Sequence, residues 1–287
     1  KDGKKHSFEW KEGSFFSIPV NAYYRHFNLS GKEPARLLGM NNAPFVMNLF
    51  HNLDFVFNTD FAFTDRFNPG EDDYFTKMGE RIGPTGIITN LVPDLRTVEM
   101  PHREIGRGGV RGSKVVRFLM GSGTFGPHVT NIPEGCYYPG HFHGAGAHLY
   151  ILKGTGFDLL WYGNGERKRV DFKPGSLFVP PDRWFHQHFN TGKGEVRQLA
   201  VKTWGAQRKS VMNMAGYDST IYSDAAQAHT GSMGRSIKQG GTQLDYADED
   251  PALHEQFHQE LARNGVTCHM AECHPHCSLR MATRAIA

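Results

Sequence analysis

His141 and His143 stand two residues apart in the segment PGHFHGAGAHLYILKGTG, residues 139–156, and His148 follows a Gly/Ala-rich turn in the same segment. His186 and His188 repeat that spacing in PGSLFVPPDRWFHQHFN, residues 174–190. Alternate residues of a β-strand point to one face, so His141 and His143 can aim two imidazoles into one interior. A third His from a later strand can then close a facial metal site. Imidazole ligates iron, zinc, copper and nickel alike, so the spacing indicates a metal site without choosing the metal. Neutral imidazoles leave the charge of a divalent ion uncompensated. That favours an anionic, bidentate ligand such as a carboxylate beside a hydroxyl or an enolate. Three protein ligands also leave open positions for Lewis-acid or oxygen chemistry.

Strands must carry these side chains. They are expected at Ser113–Leu119, His148–Leu152, Phe157–Tyr162, Arg167–Phe172, Ser176–Val179 and Arg197–Trp204. The 33 Gly and 15 Pro imply many turns, and 12% aromatic residues supply large burial per residue. The fold class expected is all-β. At 287 residues the chain holds one large or two ordinary domains. One helix stands out after Asp248-Glu249-Asp250-Pro251, where acids and Pro suit an N-terminus. Leu253, Phe257 and Leu261 fall four apart on it, and Gly265 ends it.

Two runs resemble the signature motifs of the cupin superfamily. The first motif is Gly, His-x-His, an acidic residue and a closing Gly. Gly140, His141, His143 and Gly154 fill those places, the acidic residue is absent, and His148 stands about where it would fall. The second, Gly, Pro, His, Asn, is filled by Gly175, Pro180 or Pro181, His186 and Asn190. The resemblance covers residues 129–204 and is similar to the gentisate-dioxygenase-like bicupins. Those also have a three-His iron site without the acidic ligand, and an aromatic-His-x-His run like Phe185-His186-Gln187-His188. It implies jelly-roll β-barrels with the metal inside, bound by His141, His143 and His186, with His148 as a further candidate ligand.

The chain also repeats itself. Residues 2–28 align without gaps on residues 164–190, pairing Gly3 with Gly165, Gly13 with Gly175, Ser14 with Ser176, Phe16 with Phe178, Pro19 with Pro181 and His26 with His188. Asp2-Gly3 and Asn164-Gly165 are both type I′ hairpin dipeptides. The repeat predicts two barrels. The first copy begins at its hairpin turn, so residues 1–44 are expected to form a partial N-terminal barrel with no metal motif, ending in a strand around Ala35–Met40. Its strand deficit would be filled by another chain, by the C-terminal tail or by upstream sequence. The alternative is a distinct small lobe that reuses half a motif. His186 has Tyr24 opposite it, whereas His188 keeps His26. A ligand lost in a degenerate copy and a residue retained there have different jobs, so His186 is assigned to the metal and His188 to a hydrogen bond beside it.

Residues 45–98 read as an aromatic-rich linker with short helices. Its Phe stripe lines a substrate entrance or, more simply, is inter-domain core. Residues 99–205 form the metal-binding barrel, and residues 206–287 are a tail with the one helix. The tail carries Cys268, His269, Cys273, His274, His276 and Cys277. Such a tract can bind zinc or iron, but its Cys spacing fits no zinc template, and a solvent-exposed tail is the simpler expectation. The Gly-rich run Arg103–Gly112 lacks a strand–GxGxxG–helix setting and reads as a loop.

Substrate-binding candidates surround the His-x-His pair. Tyr137, Tyr138 and His128 precede it and either face the cavity or pack at the rim. Arg183, in the turn before His186, either pairs a substrate carboxylate bidentately or is a solvated loop charge. Gln187 alternates away from His186 and is expected outside the pocket. Arg183, Tyr138 and His188 are the candidate catalytic residues.

The net charge of +3 is too small and too scattered for nucleic acid. No run approaches the ~18 apolar residues of a membrane helix. Four Cys are too few for a disulfide scaffold, which makes a reducing cytoplasm the default. A homo-oligomer is expected, with no nucleic-acid or membrane partner. The resemblance implies an Fe(II) dioxygenase that cleaves a small aromatic or enolisable carboxylate or hydroxyl substrate with O2. A non-redox lyase, decarboxylase or isomerase using Mn, Zn or Ni is the alternative, and a binding protein without turnover is a third.

Overall fold

Short apolar runs separated by Gly and Pro turns dominate the chain between residues 115 and 202, and they fold as strands. The computed structural model describes residues 5–64, 66, 72–76, 79–102, 110–123, 125–143, 147–202 and 236–277. Most of the Gly-rich run, at 103–109, lies outside the described residues, as do residues 203–235. The element order is β1 (Phe15–Phe16), α1 (Ala43–Phe50), α2 (Leu53–Asn58), β2 (Glu80–Ile82), β3 (Gly86–Ile88), β4 (Leu91–Val92), β5 (Val115–Leu119), β6 (Gly126–Ile132), β7 (Ala147–Lys153), β8 (Gly156–Trp161), β9 (Lys168–Phe172), β10 (Leu177–Phe178), β11 (Phe185–Asn190), β12 (Val196–Lys202) and α3 (Pro251–Asn264).

A seven-stranded sheet has the order β10-β7-β12-β6-β5-β3-β2, and a three-stranded sheet has the order β11-β8-β9. All pairings are antiparallel except β3 with β5. Every residue of β8 is buried. Phe157, Leu159 and Trp161, on one face, pack with α3 in the main core, and Asp158, on the other, pairs with His188, so the strand lacks the polar alternation of a half-exposed strand. The fold is all-β with a C-terminal helix.

α3 forms where its sequence places it. The Asp250 side chain accepts from Ala252 N, Pro stands in the first turn, and Gly265 closes the helix at φ 63°. Leu253, Phe257 and Leu261 are 4%, 0% and 1% exposed. Burial of each contributes about 1.5–3 kcal/mol. They pack with Tyr137, Phe157 and Phe189 in the main core. The segment after α3 is not the solvent-exposed tail expected. Met270 and Cys277 are fully buried, and His269 N–H donates to Gly135 O at 3.0 Å. The apolar spacing V-x3-M-x6-C carries no regular period, so this packing is not legible in the local pattern.

The linker differs as well. It holds α1 and α2, but also β2 and β3, which extend the large sheet, and β4, which pairs with β1. Phe45, Phe50, Phe55, Phe57 and Phe61 are all exposed by about half or more, not buried between domains. The strand expected around Ala35–Met40 does not form, and Leu37 and Leu38 are exposed. Among the described residues no helix is long and apolar enough to cross a membrane.

The two repeat copies share their turns hydrogen bond for hydrogen bond. Ser14 N–H donates to Lys11 O at 3.0 Å, and Ser176 N–H to Lys173 O at 2.9 Å. Ser14 Oγ accepts from Lys11 N and Ser176 Oγ from Lys173 N. Gly13 and Gly175 have φ of 86° and 87°, and Asn21 and Arg183 have φ of 56° and 60°. The strands that follow the glycines, β1 and β10, are two residues each. Beyond that the copies part. Residues 185–190 form β11, whereas residues 23–28 form no strand.

Candidate metal centre

The segment 139–143 is held on both sides. His141 N–H donates to His186 O at 3.1 Å, and His186 N–H donates to His141 O at 2.8 Å. On its other side Leu244 N–H donates to Gly140 O at 2.8 Å and Phe142 N–H to Thr242 O at 3.0 Å. The His-x-His pair therefore sits on an extended bridge segment wedged between β11 and residues 242–244, not on a continuous strand. The outcome expected from strand alternation survives. The ligand atoms of His141, His143 and His186 all lie within 4.8 Å of one another. Ring centroids are 4.4 Å apart for His141 and His186, and 4.8 Å for His143 and His186.

Two of the three rings are fixed through their other nitrogen. Nδ1 of His141 lies 3.1 Å from Pro139 O, and Nδ1 of His186 lies 3.2 Å from Trp184 O. A carbonyl only accepts, so Nδ1 carries the proton and Nε2 presents a lone pair. This is the outer support that orients metal-binding imidazoles. Burial, then the neighbouring His141, His188 and His143, hold the His186 pKa well below the usual imidazole range. Three close imidazoles, two of them oriented by carbonyls and one, His186, held neutral by burial, are a donor set that fits a divalent metal.

The cluster lines a cavity of about 60 Å³. β6 contributes His128 and Thr130, β7 Ala147 and Leu149, β12 Gln198, Ala200 and Lys202, and β11 His186 and His188. His188 is buried, and its Nδ1 lies 2.7 Å from Asp158 Oδ2. Burial raises the Asp158 pKa and His188 opposes that rise. The contact with Asp158 turns His188 Nε2 toward the cavity its ring lines. The pKa of His128 is pushed well down by burial, then by Lys202 and Arg117. The Gln198 Oε1 atom is buried with no hydrogen-bond partner.

His148, Arg183 and Tyr137 do not line the cavity. His148 lies between Ala147 and Leu149, both of which line the cavity, so strand alternation turns it to the opposite face. It does not join the three-His group. Arg183 occupies the exposed tip of its turn in a left-handed conformation and does not reach the cavity. Tyr138 lines the cavity, and its hydroxyl is held by Asn131 O and Ser113 Oγ. Tyr137 faces away, toward α3, and its hydroxyl donates to Glu249 Oε2 at 3.0 Å. Gln187 is outside the cavity as expected, and its Nε2 donates to Glu249 Oε1 at 2.8 Å.

The sequence reading missed Asp158, Gln198, Lys202 and Gln243. Asp158 carried a signal, as the one charge in the apolar run GFDLLW. Gln198 and Lys202 carried a weaker one, since they share with Ala200 a single face of β12.

Comparison with known proteins gives limited likeness. No protein-family model matches the chain, and no curated protein matches it. Among solved structures, a cupin 2 conserved barrel domain protein from Rhodopseudomonas palustris is 19% identical, with 36% of this chain and 68% of that chain covered and a TM-score of 0.30. A mutant of Bacillus subtilis oxalate decarboxylase is 17% identical over 40% of this chain and 30% of that chain, with a TM-score of 0.33. The cupin domain of Schizosaccharomyces pombe Cnp3 is 16% identical over 44% and 81%, with a TM-score of 0.31.

Proposed function

We propose that this chain is a cupin-like, metal-dependent enzyme that cleaves a small carboxylate- or hydroxyl-bearing substrate with O2. The observation that carries the reading is the cluster of His141, His143 and His186 gathered at one cavity. A divalent ion held there, Fe(II) in this reading, supplies Lewis-acid charge and positions for the substrate anion and O2. The residues around it supply the rest. Lys202 and His128 line one wall, and the Lys202 cation favours an anionic substrate. Gln198 Oε1 offers an acceptor for a substrate hydroxyl or enol. His188, oriented by Asp158, can take up or return a proton at Nε2. A cavity of about 150 Å³ takes a benzene ring, while the room here is about 60 Å³. A small enolisable acid fits inside; an aromatic substrate would place its acid group inside and its ring at the mouth.

An oxygen electrode with β-diketones, small enolisable acids, hydroxybenzoates and hydroxynaphthoates tests this. The chain is assayed with Fe(II), Mn(II), Ni(II) and Zn(II). Turnover with Fe(II) and oxygen uptake, but none with Zn(II), is the expected result. Equal turnover under nitrogen would move the protein to a lyase, decarboxylase or isomerase. Tight binding of the acid without turnover would make it a binding protein.

A further inference from the structure

A second group of ligating side chains lies outside the cavity, between α3 and the segment after it. We propose that His254, His258, Cys268 and Cys277 form a zinc site that fastens the C-terminal segment to α3. His254 and His258 are four apart, and so share one face of the helix. Cys268 and Cys277 come from the segment that folds back on it. The four ligand atoms all lie within 4.8 Å of one another. His258 Nε2 is 3.1 Å from Cys268 Sγ and 3.8 Å from Cys277 Sγ. Zinc bonds of about 2.3 Å to sulfur and about 2.0 Å to nitrogen, set tetrahedrally, separate the two donor types by about 3.5 Å. The observed spacings bracket that value.

The surroundings point the same way. His254 is 5% exposed, and its Nε2 is buried with no hydrogen-bond partner. Its Nδ1 lies 3.1 Å from the Tyr137 hydroxyl, which already donates its one proton to Glu249 Oε2. The hydroxyl can therefore only accept from His254. Nδ1 carries the proton, and the orphaned Nε2 is the lone pair. A ligating His whose other nitrogen donates to an oxygen, backed by a carboxylate, is the usual support of a zinc ligand. Two thiolates and two imidazoles in a closed tetrahedral set select zinc over metals that favour oxygen donors or octahedral geometry. All four positions are filled by protein, so the site is structural. Tyr137 and Gln187 both hydrogen-bond Glu249, Gln187 stands between His186 and His188, and His254 meets the same Tyr137 hydroxyl, so the site is tied through this network to the back of β11.

The sequence spacing C-x4-C-x3-C hid this site because Cys273 is not part of it, and the two His come from the helix. His269, His274 and His276 are outside the group as well.

The test uses the whole chain, stripped of metal and reloaded with Zn(II) or Co(II). Co(II)-loaded protein should show a thiolate-to-cobalt charge-transfer band. The double variant Cys268→Ser, Cys277→Ser should lose that band and about one zinc equivalent. His186→Ala should keep both, which separates this site from the cavity. Persistence of the band in the double variant would overturn the proposal, and so would a disulfide between Cys268 and Cys277 in the native protein. If the double variant fails to fold, alkylation of the unsubstituted chain decides instead. Zinc should protect the half-buried Cys268 and a chelator should expose it; an alkylation rate indifferent to both would sink the idea.

Discussion

Residues 11–28 and residues 173–190 begin with the same local chemistry and end in different structures. Both open on a Ser hydroxyl capping a Lys N–H, a Gly near φ 87° and a two-residue strand. Both turn again after a Pro: Ala22 N–H donates to Pro19 O, and Trp184 N–H to Pro181 O. Even the last residue keeps its bond, since Asn28 Oδ1 accepts from Ser30 N and Asn190 Oδ1 from Gly192 N, both at 3.1 Å. Between Pro and Asn the likeness stops. Phe185–Asn190 pairs with all six residues of β8, from Phe185 opposite Trp161 to Asn190 opposite Gly156. Tyr23 to Asn28 has no such partner among the described residues, and Tyr24, His26 and Phe27 are exposed. Turn geometry is written within a few residues and survives without a sheet. A metal ligand needs a strand whose register is fixed by its neighbour, because one slip reverses every side chain.

The largest effect should come from exchanging the residues that distinguish the copies. His186→Ala leaves two imidazoles in the cavity, which hold a divalent ion poorly, and should remove most of the metal bound there. Tyr24→His, its mirror image, should add none, since residue 24 is exposed and unpaired with a strand. Metal content measured in both variants, with the zinc held by the Cys residues subtracted, checks the pair. Full cavity occupancy in His186→Ala would dismiss the ligand assignment. Added stoichiometric metal in Tyr24→His would mean the first copy is a working site.

What the sequence could show follows the same division. Strands form at all six places expected, the last described as far as Lys202, because each is bounded by turn residues and rich in β-branched or aromatic side chains. The His141, His143 and His186 cluster was legible from spacing and motif. His148 was not excluded, because that requires knowing that Ala147 and Leu149 face inward, a matter of tertiary register. The chemistry of Arg183 suits either a substrate carboxylate or a solvated loop charge, and its backbone conformation places it at a turn tip. Lys202 and Gln198 reach the cavity because β12 crosses it between β6 and β7, and strand order is not readable from local pattern. The His254 and Cys268 partnership failed for the same reason: helix and return segment each carried half of it.

An intermediate effect should separate the two Asn residues that end the copies. Asn190 is fully buried, and its Nδ2 donates to Ile132 O, Pro133 O and Gly194 O at 2.9, 3.1 and 2.8 Å. Asn190→Ala strands those carbonyls in the interior and should cost about 2–4 kcal/mol. Asn28 is exposed, and its Nδ2 donates to Glu33 O alone. Asn28→Ala should cost under about 1 kcal/mol. Urea midpoints compare them, and equal shifts would mean the buried network contributes nothing beyond the turn.

The smallest effect concerns the glycines that begin the copies. Gly175 has φ 87°, where an L side chain is strained, but a Cβ there would meet nothing within 4 Å. Gly175→Ala therefore isolates backbone strain, about 1–2 kcal/mol. Gly175→Asn should recover part of it, since Asn tolerates positive φ better than Ala. At Gly13 the same φ is joined by crowding. A Cβ would press on the Asp94 carboxylate and on Arg96 Nε, which are themselves paired through Arg96 Nη2 and Asp94 Oδ2 at 2.8 Å. Gly13→Ala should thus cost more than Gly175→Ala, and Gly13→Asn should recover little, because an Asn Cβ meets the same atoms. Stability of the four variants, with protection of the Lys11–Ser14 turn amides followed by hydrogen exchange, measures both. If Ala and Asn behave alike at both positions, backbone conformation is not what the repeat preserves, and the shared turns would have to be explained by their hydroxyl caps alone.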